Sequence, residues 1–171
     1  SKLCLPWLVK AENPHILSLS PPLDMQAKWF AGHVAYSMAK FGMSMTVLGM
    51  AEEFKQAGIA VNALWPRTTI ATSAIKNLLG GDMAMRASRT TEIVADAAHL
   101  IFTKPAREFT GNFCIDDTLL AEHGVTELEV RVDTAADETT AGEEGAWTAC
   151  ADSSAQCGNI ERIKPIMIRP A

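Results

Sequence analysis

Tyr36 is the single tyrosine of the chain, and Lys40 follows four residues later in the run AYSMAK. On a helix that spacing puts both side chains on one face, one turn apart. A phenol titrates near pH ~10 in water and exchanges protons at neutrality only where its anion is favoured, which a neighbouring ammonium achieves. Ser20 ends a short β-prone run sixteen residues before Tyr36. Its hydroxyl could orient a substrate oxygen at the mouth of a sheet, where open α/β folds hold their ligands. A proton donor, its electrostatic tuner and an orienting hydroxyl suit the interconversion of a carbonyl and an alcohol. The hydride would have to come from a nicotinamide, since no side chain supplies one. The Tyr/Lys spacing alone is a weak signal, because the same pair is ordinary on an exposed helix. Other polar and sulfur groups have plainer expectations. His33 is read as a solvated cap, Glu52 and Glu53 as a solvated helix face, and Asp116-Asp117 as a strand-end turn. Met38, Met43, Met45 and Met50 are read as core filling.

The elements that must position these groups alternate. Residues 1 to 10 read as the end of a helix, stopped at Asn13-Pro14. His15 to Ser20 (HILSLS) reads as a buried strand that Pro21-Pro22 cannot continue. From His33 to Lys55 the residues Val34, Met38, Phe41, Met45 and Leu48 recur at helical spacing and are expected to form its buried face. Gly42 and Gly49 fall near that face and would let another helix approach. Gly58 ends the helix, and Ile59 to Trp65 (IAVNALW) reads as a second strand stopped by Pro66. Residues 66 to 90 read as a mobile loop with a weak central helix, able to close over a ligand. A helix from Thr91 to Phe102 and a strand from Asn112 to Asp116 complete the pattern. Alternation of this kind predicts an α/β fold with a parallel sheet covered by helices. Three strands leave open edges, so partner strands are expected upstream. After Val125 the character changes: 127–133 alternates like a strand, and 135–158 is Ala-, Thr-, acid- and Gly-rich and is expected to be disordered. The expected division is therefore a domain over 1–125 and an unassigned, largely disordered tail over 126–171.

Composition narrows the function classes. The chain has 171 residues, 48% of them apolar, and a formal charge of -5 from 15 basic and 20 acidic residues. No basic stripe argues for a nucleic-acid partner. Apolar stretches break well before the roughly 18 residues a membrane helix needs, and no secretory leader is recognisable. Cys4, Cys114, Cys150 and Cys157 lack the paired spacing of a zinc site and are expected to be reduced thiols in an intracellular protein.

Taken in order, HILSLS, AYSMAKFGMSMTVLGMAEEF, IAVNALWPRTTIATSA and FTGNFCIDD resemble the second half of a short-chain dehydrogenase/reductase. The resemblance covers roughly residues 1–125. It implies a partial Rossmann-like, doubly wound parallel sheet comprising the last three strands and their helices, with the N-terminal nucleotide-binding half missing. It also implies Tyr36 as general acid/base, Lys40 as the group that holds the nicotinamide ribose, and Ser20 as the hydroxyl that polarises the carbonyl. The loop through Lys28, Trp29 and Phe30 stands out as an insertion between that serine and tyrosine. Pro66, Ile70 and Thr72 are the implied contacts at the nicotinamide end, and the cofactor is NADP or NAD. The implied substrate is a lipid- or steroid-like carbonyl or alcohol. Homo-oligomerisation through the helix spanning 33–56 is expected, in a peroxisome or mitochondrion, with the cytoplasm open. The family's glycine-rich turn and active-site asparagine do not occur in these 171 residues, so the chain is expected to be an incomplete, inactive piece. The alternative expectation is a non-catalytic interaction or lipid-binding module that retains the family's helix interface.

Overall fold

The computed structural model describes residues 2–79 and 81–125. The expected strand at 127–133, the tail expected over 126–171, Cys150 and Cys157 lie outside the described residues. Three short runs form a parallel sheet in the order β1-β2-β3: β1 is His15–Leu19, β2 is Ala60–Trp65 and β3 is Phe113–Ile115. β1 and β2 pair from His15↔Ala60 to Leu19↔Leu64, and β2 and β3 from Ala63↔Phe113 to Trp65↔Ile115. The central strand is buried from Ala60 through Leu64, which its nearly unbroken apolar sequence requires. Asn62 is the exception, fully buried yet satisfied. Its Nδ2 donates to Phe109 O at 2.8 Å, and its Oδ1 accepts from Asn112 N and Asn112 Nδ2, both at 3.0 Å.

Helices cover both faces. A short α1 (Leu5–Leu8) precedes β1, and α2 (Val34–Glu53) crosses one face of the sheet. There Val47 and Ala51 pack against Val61 and Ala63, with Ile16, Met50, Phe54 and Phe113 around them. The opposite face carries α4 (Glu92–Thr103) and α5 (Asp116–Glu122), whose Ile93, Ala97, Ile101, Leu119 and Leu120 close over Leu64. Ala63 and Leu64 serve opposite layers because successive strand residues point to opposite faces. The doubly wound α/β architecture is thus as the sequence implies. Gly58 makes the reversal from α2 into β2 with φ +71°, and a Cβ there would meet the Arg107 guanidinium carbon at 2.7 Å. Only glycine meets both conditions without strain.

Several expectations need correction. The buried face of α2 is Ser37, Phe41, Ser44, Val47 and Ala51. The stripe expected to be buried is exposed, with Val34, Met38, Met45 and Leu48 each more than half accessible, and only its Phe41 is buried. Met38, Met43 and Met45 therefore do not fill the core. The physical reason is that α2 is apolar around most of its circumference, so hydrophobic spacing does not single out one face. What singles it out is size and hydrogen bonding. Ser37, Ser44 and Ala51 let the helix lie close, while Ser37 Oγ and Ser44 Oγ each donate at 2.6 Å, to Trp29 O and Pro21 O. A Cβ built at Gly42 or Gly49 meets nothing within 4 Å, so no other part of the described chain packs there. Asp116 and Asp117 are not a strand-end turn but the first turn of α5. Acidic side chains are favoured at that end of a helix. Between β2 and α4 the chain makes a π-type turn (Ile75–Leu79) and a short helix α3 (Gly81–Arg86).

Candidate active site

Tyr36 sits in the first turn of α2 with its side chain largely exposed. Partial burial raises its phenol above the ordinary value. Lys40 lies one turn on, and its ammonium is drawn to the ends of two strands. Nζ donates to Leu19 O at 3.1 Å, at the last residue of β1, and stands 5.4 Å from the ring centroid of Trp65, the last residue of β2. In this state the Lys40 charge is spent on a carbonyl dipole and an aromatic face, and the phenol is governed by burial. Ser20, one residue past β1, is fully buried, and its Oγ has no hydrogen-bond partner. The hydroxyl therefore does not reach the surface on which Tyr36 is exposed.

The structure brings Ser20, Lys40, Trp65 and Pro66 to one place, the carboxyl ends of β1 and β2, where open parallel sheets bind ligands. Ile70 is held differently. It packs half-buried against the α4–α5 core and forms a parallel bridge with Arg89. Thr72 is exposed, and its carbonyl accepts from Lys76 N at 3.0 Å.

The segment between Ser20 and Tyr36 is an ordered cover over the start of α2. Asp24 Oδ2 accepts from the Trp29 indole N–H at 2.6 Å and Asp24 Oδ1 from Gln26 N at 3.1 Å. The indole bond above all holds the Asp24 carboxyl below its usual value. Lys28 Nζ stands 4.8 Å from the Trp29 ring centroid, and the Phe30 and Phe41 rings lie 4.8 Å apart. His33 is the N-cap residue of α2 but makes no side-chain cap bond.

Sequence reasoning missed three contributors to this end of the sheet. Trp65 supplies the π face under Lys40, and Ser44 anchors Pro21. Asp117 Oδ2 accepts from both Arg67 Nε at 2.6 Å and Arg89 Nη1 at 3.1 Å. The only signal for the last was opposite charge just past the ends of two strands, in WPR and IDD, and it becomes readable once those strands are known to be neighbours.

Helices on both faces of a parallel sheet, with Tyr36 and Lys40 in the opening turns of the helix at the strand ends, make an arrangement in which the chain resembles short-chain dehydrogenases. Among curated proteins it is similar to Hydroxysteroid dehydrogenase-like protein 2. It is 54% identical to that of Danio rerio over 130 residues, 76% of this chain and 31% of the relative. The Bos taurus and Homo sapiens proteins are 55% and 53% identical over the same length. The chain thus spans about a third of the length of these relatives. A crystal structure of a short chain dehydrogenase from Mycobacterium thermoresistibile is 50% identical with a TM-score of 0.68, over 75% of this chain and 45% of that one. A candidate dehydrogenase from Xanthomonas campestris is 51% identical with the same TM-score, over 74% and 46%. No family model matches the chain.

Proposed function

We propose that residues 1–125 are the catalytic half of a nicotinamide-dependent oxidoreductase that interconverts a carbonyl and an alcohol on a lipid- or steroid-like substrate. The observation that carries this reading is the placement of Lys40. Its ammonium touches the last residues of β1 and β2, so the turn that bears Tyr36 is tied to the sheet end where a ligand would lie. The residues present suit the nicotinamide ribose. The ammonium has three donors, of which Leu19 O takes one, leaving two for a diol. When bound, the cofactor would supply the hydride. In reduction, the Tyr36 phenol would give its proton to the carbonyl oxygen, and Lys40, one turn away, would favour the anion so formed once its ammonium turned toward it. Ser20 would have to turn its hydroxyl out of the core to bond the same oxygen. Pro66, Ile70 and Thr72 would line the nicotinamide end, with the cofactor NADP or NAD. The proposed setting is intracellular, in peroxisome, mitochondrion or cytoplasm.

A second reading, a subunit-pairing module, is favoured by the exposed stripe Val34, Met38, Met45 and Leu48, with Gly42 and Gly49 open beside it. Exposed apolar surface of this kind marks association sites, and a second copy is the expected partner. The test is a titration of the 171-residue chain with NADPH and NADH, following nicotinamide fluorescence, beside a version extended upstream. Binding by the extended form alone supports the catalytic-half reading, and binding by both removes the fragment part of it. Binding by neither refutes the dehydrogenase reading and leaves the pairing module.

A further inference from the structure

The loop that carries Ile70 and Thr72 leaves β2 at Arg67 and returns at Arg89. Both arginines end on one carboxylate. Asp117 Oδ2 accepts from Arg67 Nε at 2.6 Å and from Arg89 Nη1 at 3.1 Å. The side chains of Asp117 and Arg89 are only 12% and 16% exposed, so this is not a solvent-screened surface pair. Further bonds seat the outgoing strand on α5: Arg67 N donates to Asp116 Oδ1 at 3.0 Å, and Arg67 Nη2 to Thr118 Oγ1 at 2.7 Å. The returning strand is laced to the outgoing one. Arg89 N donates to Thr69 O at 3.0 Å, and Ala71 N to Arg89 O at 2.8 Å. Ser88, almost fully buried, spends its proton on Ala84 O, so Thr69 Oγ1 donates across the neck to Ser88 Oγ at 2.8 Å. Beyond this neck Leu78 and Met83 are exposed at 68% and 83%, while Ile75 is buried.

We propose that Asp117 is a positioning residue: it clasps both ends of the 68–88 loop through Arg67 and Arg89 and so fixes the backbone that presents Ile70 and Thr72 to a bound nicotinamide. The second half of this statement rests on the dehydrogenase reading above. Removing the carboxylate takes away the acceptor that the two guanidinium groups share, and the neck loosens while the sheet remains.

The test is limited trypsin digestion of the full chain, read by mass spectrometry at four exposed sites. Lys76 and Arg86 lie in the loop, and Lys10 and Lys55 lie outside it. Asp117→Asn should speed cleavage at the two loop sites about tenfold relative to the outside sites, as local opening dictates, and Asp117→Glu should recover most of the protection. Uniform acceleration at all four sites, or none, overturns the clasp. Should Asp117→Asn fail to fold, Arg67→Gln keeps Arg89 on the carboxylate and should give about threefold by the same comparison, and no change there overturns the clasp as well. In the version extended upstream, NADPH or NADH should protect the loop sites of the unmodified protein, and Asp117→Asn should raise the cofactor KM more than it lowers kcat. Loosening by Asp117→Asn without protection by either cofactor would sink the dehydrogenase reading and leave the clasp. Protection without loosening would do the reverse.

Discussion

The assignment of the buried face of α2 can be tested by two adjacent substitutions that hydrophobic spacing ranks in the opposite order. Val47 is completely inaccessible and packs with Ala51, Val61 and Ala63, whereas Leu48, on the stripe that the spacing marks as the core face, is 55% exposed. Val47→Ala removes two methyl-sized groups at roughly 0.8 kcal/mol each, and the unfilled space raises the cost to about 2–3 kcal/mol. Leu48→Ala removes more carbon but should stay within about 0.5 kcal/mol, helped by the better helix propensity of alanine. Urea unfolding of the 171-residue chain, followed by circular dichroism, measures both. With a slope of about 2 kcal/mol per molar, Val47→Ala should lower the midpoint by roughly 1 M and Leu48→Ala by at most ~0.3 M. The reasoning is refuted if Leu48→Ala costs as much as Val47→Ala at every protein concentration. A Leu48→Ala cost that disappears on dilution would instead mean that a partner covers the stripe, because association stabilises the folded state by mass action.

Three further outcomes are expected. In the version extended upstream, Tyr36→Phe should lower turnover by about 10²–10⁴-fold, the usual contribution of a general acid, while the dissociation constant for nicotinamide fluorescence changes by less than about twofold. Asn62→Ala strands three partly buried partners at once, Phe109 O, Asn112 N and Asn112 Nδ2, and should cost about 2–4 kcal/mol in the same urea assay. Burial pushes the Asp117 carboxyl up, but the bonds and charges of Arg67 and Arg89 outweigh it and hold the group below the ordinary carboxylate value. Its folded pKa is thus lower than its unfolded one, so its stabilisation is complete above about pH 4 and is lost as pH falls through the folded value. Acid titration of stability should show a low-pH loss that is smaller in Asp117→Asn, and an identical acid limb in the two proteins would count against the pairing.

The elements were legible in this sequence because their ends are marked by residues with strong backbone preferences. Pro14, Pro21, Gly58, Pro66 and Pro105 stand within two residues of an end of β1, β2 or α4, while α1 and α2 stop at Leu8 and Glu53, five residues short of Asn13 and Gly58. Which side of each element faces inward was legible only where polarity alternates with the right period. α4 meets that condition, and its Ile93, Ala97 and Ile101, at helical spacing, are buried. α2 does not. Methionine, valine and leucine surround it, and the sheet selects Ser37, Ser44 and Ala51, which spacing rules count as neutral or polar, because short side chains allow a close crossing and the hydroxyls hold backbone carbonyls.

The candidate site divides along the same line. Tyr36 and Lys40 could be singled out because they stand four residues apart on one helix. The contacts that set what the pair can do are not local: Lys40 answers to Leu19 and Trp65, on two different strands, and the phenol to its burial. Ser20 shows how far strand-end position alone reaches. It stands one residue past β1, as its sequence position implies, and there its hydroxyl is buried and makes no hydrogen bond. Arg67, Arg89 and Asp117 mark the far limit. Nothing in their types or spacing joins them until the order β1-β2-β3 sets Trp65 beside Ile115, after which two residues past either strand end must meet. Three charges far apart in the sequence, Arg67, Arg89 and Asp117, are therefore brought together just past the ends of β2 and β3.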